Sequence, residues 1–306
     1  MKKLTARGKL LISSEYMVLH GSQALALPLK KGQSLRTKEK DNQRLFSWKA
    51  YHEEDCWFRA DFNPATLGIV ETTDQERAEN LRKLLRASIE TNPLFQKELF
   101  EWDVETMLDF SPSWGLGSSS TLTALVADWA DINPLDLHFM ISEGSGYDVA
   151  CAIAGQPIIY SLRDDGPHFQ PVPFDPPFAD RLFFVWLGSK QPTASHLATM
   201  AGRFTPGYED IAYFTGLTRG MLQAGELSEF RKYMEEHEAR LSELIGLKRV
   251  SEILFPDLRG SVKSLGAWGG DFVMIASEQE PEALFNYLDQ KGLTTRFRYN
   301  DLVYGA

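Results

Sequence analysis

Pro112-Ser113-Trp114-Gly115-Leu116-Gly117-Ser118-Ser119-Ser120 is the stretch on which the reading of this chain turns. An alternating segment, residues 101–107, precedes it and reads as a strand. Leu122, Leu125, Val126 and Trp129 follow it, and their spacing draws one apolar helical face. A Gly- and Ser-rich turn that opens a helix is a natural anion cradle. Glycine lets the backbone approach closely, and the first N–H groups of a helix have no intrahelical partner. The helix start carries roughly half a positive charge, so a phosphate suits it. The plainer alternative is a tight turn followed by a serine-capped helix. The stretch alone does not separate the two.

The 306 residues fit one large or two medium domains and can bury a substantial core. Hydrophobic residues make up 43% and charged residues 24%, as in ordinary globular chains. The net charge of −10 argues against general nucleic-acid binding, which needs basic patches. Cys56 and Cys151 are far apart and outside any metal-ligand pattern, so two buried thiols are expected. The first residues have no signal-peptide core, and no apolar run approaches the ~18 residues of a membrane span. A soluble, cytoplasmic protein that binds neither nucleic acid nor membrane is the expectation.

Outward from the central stretch, the N-terminal part is strand-rich. Residues 9–13, 24–29, 34–38, 44–51 and 57–62 are short, partly alternating runs with polar boundaries. Thr72-Thr73-Asp74 starts a helix whose face is Ala78, Leu81, Leu84, Leu85 and Ile89, closed by Asn92-Pro93. Residues 135–141 are ambiguous. A second Gly/Ser turn, Glu143-Gly144-Ser145-Gly146-Tyr147-Asp148, leads into residues 149–154, read as a short helix ended by Gly155, with a strand as the alternative. Residues 157–162 read as a strand. Residues 163–179 are rich in Pro, Asp and Gly without periodicity and mark the best domain boundary, giving domains 1–170 and 171–306. Beyond it come a strand (182–187), helices (208–224 and 227–245), a strand (272–276), a helix (281–290) and a strand (294–299). That order predicts an α+β sandwich with helices on one face. His237 lies on the apolar face of the second helix and reads as a core histidine rather than a catalytic one.

Three motifs in order, near the start, middle and end, resemble those of the GHMP kinases, the superfamily of galactokinase, homoserine kinase, mevalonate kinase and phosphomevalonate kinase. The first is Ala6-Arg7-Gly8-Lys9-Leu10-Leu11-Ile12-Ser13-Ser14-Glu15-Tyr16, followed by Val18-Leu19-His20-Gly21; Arg7 stands where the family has proline and Ser14 where it has glycine. The second is the central stretch. The third, Gly266-Ala267-Trp268-Gly269-Gly270, departs from the family's Gly-Ala-Gly-Gly-Gly at Trp268. The Gly-Tyr-Asp turn is similar to a bacterial subgroup close to mevalonate kinase. A Walker-type loop is absent, since no Gly-x-x-x-x-Gly-Lys-Ser/Thr occurs.

The resemblance implies two α+β domains, the second ferredoxin-like, with the active site in the cleft between them. It implies ATP, Mg²⁺ and phosphoryl transfer to a small-molecule hydroxyl. Such transfer needs a triphosphate cradle, charge neutralisation and an oriented hydroxyl. Gly115, Leu116, Gly117, Ser118 and Ser119 would form the cradle, with Ser119 on Mg²⁺ and Ser120 packing in the helix start. Asp148 would accept or orient the hydroxyl proton, a contribution of about 10²–10⁴-fold, with an N-cap role as its plain alternative. Lys9 would be the matching cation. Gly266, Ala267, Gly269 and Gly270 would approach the nucleotide with their backbone. Trp268 would cover the nucleotide or pack at a domain interface. Glu15 and Tyr16 are candidate substrate contacts on the first motif, Glu15 alternatively bracing its turn; His20 is structural. Lys190 would suit an anionic acceptor. The family's Mg²⁺-holding glutamate has no counterpart between Ser118 and Asp148; Glu143 and Asp136 are nearby carboxylates that do not align with it.

Mevalonate is the first-choice acceptor and phosphomevalonate the next, with homoserine and sugars open and the related diphosphomevalonate decarboxylase disfavoured. A catalytically impaired, ligand-sensing homologue is the reading from another class. Ser14, Trp268 and the missing glutamate favour it, and the joint presence of Lys9, Ser119 and Asp148 opposes it. The sequence does not give the oligomeric state; a homodimer is compatible with it.

Overall fold

The computed structural model describes residues 1–188, 205–266, 268 and 270–305. The chain divides into two compact units that it enters more than once. One holds Met1–Gly8, Lys31–Pro112 and Leu116–Ile153; the other holds Lys9–Lys30, Ser113–Gly115 and Ala154–Ala306.

Two long strands pass through both units, β1 (Lys3–Leu11) and β2 (Ala24–Glu39). The expected runs 24–29 and 34–38 are therefore one continuous strand. Pro28 does not break it, because proline needs only a position where no ladder N–H is required.

In the first unit, residues 33–39 of β2 pair antiparallel with β6 (Trp102–Leu108). Next comes β3 (Phe46–His52), parallel to β6, then β4 (Asp55–Phe62) and β5 (Ile69–Thr72), both antiparallel. A parallel pair needs a long crossover, and the chain makes it through α1 (Gln75–Thr91) and α2 (Gln96–Glu101). Asp74 caps α1 by accepting the Arg77 N–H at 3.0 Å. The helical face forecast from spacing is the buried one: Ala78, Leu81, Leu84 and Leu85 are in the core, and Ile89 packs at its edge. They meet α3 (Ser118–Ala130) and the aromatic cluster of Phe46, Trp48, Phe62, Phe95 and Trp129, in which Phe95 and Trp129 stand edge to face at 4.8 Å. The ambiguous residues 135–141 are helix α4 (Pro134–Ile141), capped by Asn133 with Pro134 in the first turn. Then α5 (Tyr147–Ala154) ends at Gly155 with φ +65°.

In the second unit, Ala24, Leu25 and Ala26 of β2 pair with β7 (Ile158–Arg163), and β7 pairs with β8 (Gly166–Pro171). The stretch read as an aperiodic boundary thus contains a hairpin strand. Its two prolines and exposed residues hide the alternation that would have revealed it. The other sheet runs β10 (Ser261–Leu265), β11 (Phe272–Ala276), β9 (Leu182–Trp186), β12 (Arg296–Arg298), all antiparallel. Its helices are α6 (Tyr208–Gln223), α7 (Leu227–Ile245), α8 (Val250–Leu254), α9 (Pro281–Gln290) and α10 (Tyr299–Leu302). Strand, helices, strand, strand, helix, strand with this order is the ferredoxin-like pattern expected. β10 escaped the sequence reading because three of its five residues, Ser261, Lys263 and Ser264, are polar yet buried. Cys151 is buried as expected, whereas Cys56 is exposed: it sits near the start of β4, where the strand leaves its turn. Among the described residues, no helix is long and apolar enough to cross a membrane.

Candidate active site

The central stretch is divided between the units. In the second unit, the Trp114 ring stands against Phe297 at 5.5 Å and against Trp186 and Phe272, each at 6.4 Å. Gly115 has φ +69°, and a Cβ there would lie 1.7 Å from Asp271 Oδ2. Both backbone and space therefore require glycine. Lys9 Nζ donates to the Gly115 carbonyl at 3.3 Å, which brings the first motif's lysine to this loop.

In the first unit, Leu116 is fully buried, so only its backbone is available to a ligand. Gly117 is the α3 N-cap with φ +99°, and no side chain caps the helix. The N–H groups of Ser118, Ser119 and Ser120 are the unpartnered donors of a helix start. Ser119 is exposed, Ser118 half-buried. Ser120 packs as expected, its hydroxyl donating to the Gly117 carbonyl at 3.0 Å. Thr121 Oγ1 bonds Gln33 Oε1 at 2.7 Å, tying the helix start to β2. The serine-capped alternative does not hold, and an anion cradle fits.

Asp148 is half-buried in the first turn of α5, where its Oδ1 accepts the Val149 N–H at 3.0 Å. The turn before it is braced by α4. His138 Nε2 pairs with the Gly144 carbonyl at 3.1 Å, and Gly146 (φ +80°) leaves 3.2 to 3.3 Å between a would-be Cβ and the Phe139, His138 and Leu135 side chains. Glu143 and Asp136 are exposed. Among the described residues, no group of three or more His, Cys, Asp or Glu is gathered to hold a metal. A magnesium ion here would rest on the Ser119 hydroxyl and ligand phosphates, which suits its habit of keeping few protein ligands.

The remaining first-motif candidates sit inside the second unit. Glu15 is buried, and both its oxygens accept from Lys263 Nζ, at 2.6 and 2.7 Å. Lys263 Nζ also donates to the Ser264 carbonyl at 3.0 Å and lies 3.8 Å from Glu238. His237 Nε2 accepts the Ser14 N–H at 2.8 Å and stands 3.3 Å from Glu15 Oε2. Burial holds His237 well below its ordinary value, with Lys263 adding to the effect. It is the core histidine expected. Burial also pushes Glu15 up, against the opposing pull of Lys263. Glu238, buried and beside Glu15, is pushed up to about 7. Two buried carboxyls thus share one buried ammonium, and burial works against charging both of them.

Ser14, which stands where the family has glycine, has φ +61°. Its hydroxyl bonds the Gln23 carbonyl at 2.7 Å and the Ser22 and Thr218 hydroxyls at 3.1 Å. Tyr16 also has positive φ (+62°), is buried, and its Oη accepts the Trp268 N–H at 2.6 Å. Trp268 is buried, in a cluster with Tyr16, Met17, Phe214, Leu217, Leu241 and Ile245. Gly266 has φ +77° with open space around it, and Gly270 is buried. Lys190, Ala267 and Gly269 lie outside the described residues. Lys263 and Glu238 went unassigned by sequence reasoning. A lysine in an otherwise buried strand, directly before a glycine turn, was the available signal.

No protein-family model matches the chain, and no curated protein sequence does. Solved structures do. A Streptococcus pneumoniae phosphomevalonate kinase, in complex with phosphomevalonate and AMPPNP, matches with a TM-score of 0.72 and 16% identity over 97% of this chain and 100% of that one. The Methanococcus jannaschii mevalonate kinase gives 0.71 and 15% over 100% and 98%. A D-glycero-D-manno-heptose 1-phosphate kinase from Bacteriodes thetaiotaomicron gives 0.67 and 15% over 99% and 95%. This chain has the GHMP-kinase fold. Within the GHMP-kinase fold, the three sequence motifs fall on β1 and the turn after it, on the turn into α3, and on the turn between β10 and β11.

Two outcomes are expected. Gly115→Ala should destabilise the second unit by about 1–3 kcal/mol in urea unfolding; adding Asp271→Ala should recover the part due to the clash and leave the part due to φ. The second concerns pH. Glu238's folded value is raised above its ordinary 4.5, so its favourable contribution is full below pH 4.5 and is lost as pH rises to about 7. Wild-type stability should fall by on the order of 2 kcal/mol across that window from this group, and Glu238→Gln should flatten the fall.

Proposed function

We propose that this chain is an ATP-dependent kinase that transfers the γ-phosphoryl group to the hydroxyl of a small molecule. The observation that carries the proposal is the uncapped start of α3, opened by Gly117 at φ +99° and followed by Ser118 and Ser119, in a chain with the GHMP-kinase fold. The donors of that helix start suit phosphate oxygens. MgATP, when bound, supplies the phosphoryl group and part of the charge neutralisation.

The chain's residues take the following parts. The N–H groups at Ser118 and Ser119 hold phosphate oxygens, and the exposed Ser119 hydroxyl is the ligand offered to magnesium. Asp148 orients the acceptor hydroxyl and takes its proton. Lys9 offsets negative charge on the transferring group while its bond to the Gly115 carbonyl fixes its own position. Glu15 and Tyr16 serve the site from behind, as braces, because their polar atoms are engaged with Lys263 and Trp268. A small anionic alcohol of the mevalonate type is the favoured acceptor. Phosphomevalonate is the second, favoured by the likeness to the kinase solved with that compound.

The direct test is ADP release with mevalonate, phosphomevalonate, homoserine and galactose as acceptors. Turnover with one of the first two is expected; no turnover with any would favour a ligand-sensing role. Asp148→Asn should bind ATP normally and lose about 10²-fold or more of kcat, and an unaltered kcat would remove Asp148 from the proton transfer. Gly117→Val should weaken ATP binding at least tenfold, as read by calorimetry, because valine resists φ near +99°. Intact affinity would place the phosphates elsewhere.

A further inference from the structure

We propose that Tyr16 and Trp268 are positioning residues that fasten the turn bearing Gly266 and Gly270 to the first-motif turn, so that a nucleotide meets one preset backbone. The kinetic consequence rests on the kinase reading above; the tie itself rests on contacts within the second unit.

The Trp268 backbone N–H donates to Tyr16 Oη at 2.6 Å, a short bond between buried residues. The Trp268 indole N–H donates to the Lys248 carbonyl at 3.0 Å, so the ring is held at its far end as well. Burial pushes the Tyr16 phenol upward, which keeps it neutral and able to accept. Its backbone, at φ +62°, is a conformation that a tyrosine adopts only when its surroundings impose it.

A second tie runs beside the first. Glu15, next to Tyr16, holds Lys263, and Lys263 in turn holds the Ser264 carbonyl just before Gly266. The two ties therefore flank Gly266, the residue whose open φ +77° gives the turn its freedom. A glycine at position 268 would leave the backbone N–H but neither the ring nor its anchor on Lys248.

Tyr16→Phe tests this most cleanly, since it deletes one oxygen and keeps the ring. Hydrogen exchange of the ligand-free full chain should quicken about three- to tenfold at the Trp268 amide. The KM for MgATP should rise about three- to tenfold with kcat held within about twofold. Trp268→Phe, which keeps the backbone donor but loses the indole bond to Lys248, should fall between the wild type and Trp268→Gly in both readouts, and Trp268→Gly should exceed Tyr16→Phe. If Trp268→Gly fails to fold, the comparison of Tyr16→Phe with wild type decides alone. Unchanged amide exchange in Tyr16→Phe would overturn the tie whether or not the protein turns over. Quickened exchange with an unchanged KM would overturn the positioning role. If the wild type phosphorylates none of the alcohols, the kinase reading falls, and with it the positioning role.

Discussion

A lysine ammonium without access to water has to be answered by charge, and Lys263 is answered twice. Glu15 gives it both oxygens, and Glu238 stands 3.8 Å away. Desolvating such groups costs several kcal/mol apiece, so a buried cluster of this kind adds little net stability. What it does is make every other arrangement of these segments worse. Remove one partner and an uncompensated charge is left in the core, at a cost of roughly 3–5 kcal/mol. The cluster therefore dictates where the turn after β1 lies against β10 and α7. Ser14 reaches His237, and Tyr16 reaches Trp268, from that imposed position.

The candidate site uses two different solutions to one backbone problem. Turns that present N–H groups or a carboxylate need left-handed residues. At Gly115, Gly117 and Gly146 the chain uses glycine, and at Gly115 and Gly146 neighbouring side chains also occupy the space a Cβ would need. At Ser14 and Tyr16 it uses residues that resist this conformation by roughly 1–2 kcal/mol each. Those two are buried and hydrogen-bonded to Ser22, Gln23, Thr218, His237 and Trp268. Gly115 and Gly117 are only half-buried.

Periodicity made the helices legible. The faces of α1 and α7 and the span of α9 follow from apolar spacing, because a helix that buries one side has to write that side into its sequence. The ferredoxin-like order of the second unit came from the resemblance, because periodicity alone showed three of its four strands. The strands that escaped, β5, β8 and β10, do not alternate cleanly. β8 is proline-bounded and largely exposed, and β10 buries a lysine and two serines among its five residues. The loop glycines at 115 and 117 were legible as glycines. The engagement of Glu15 was not, because its partner lies 248 positions away.

At the two positions that depart from the resembled motifs, the residues present are received by their surroundings. Ser14 has taken the left-handed position of a glycine, yet its hydroxyl meets Ser22, Gln23 and Thr218 and its N–H meets His237. Trp268 has taken the place of another glycine, yet its ring is seated among six apolar side chains and both of its N–H groups are bonded. Each is matched by residues from distant parts of the sequence. A turn fixed in this way would suit the phosphate of the proposed reaction, since dipoles aligned in advance need no reorganisation when the ligand's charge arrives.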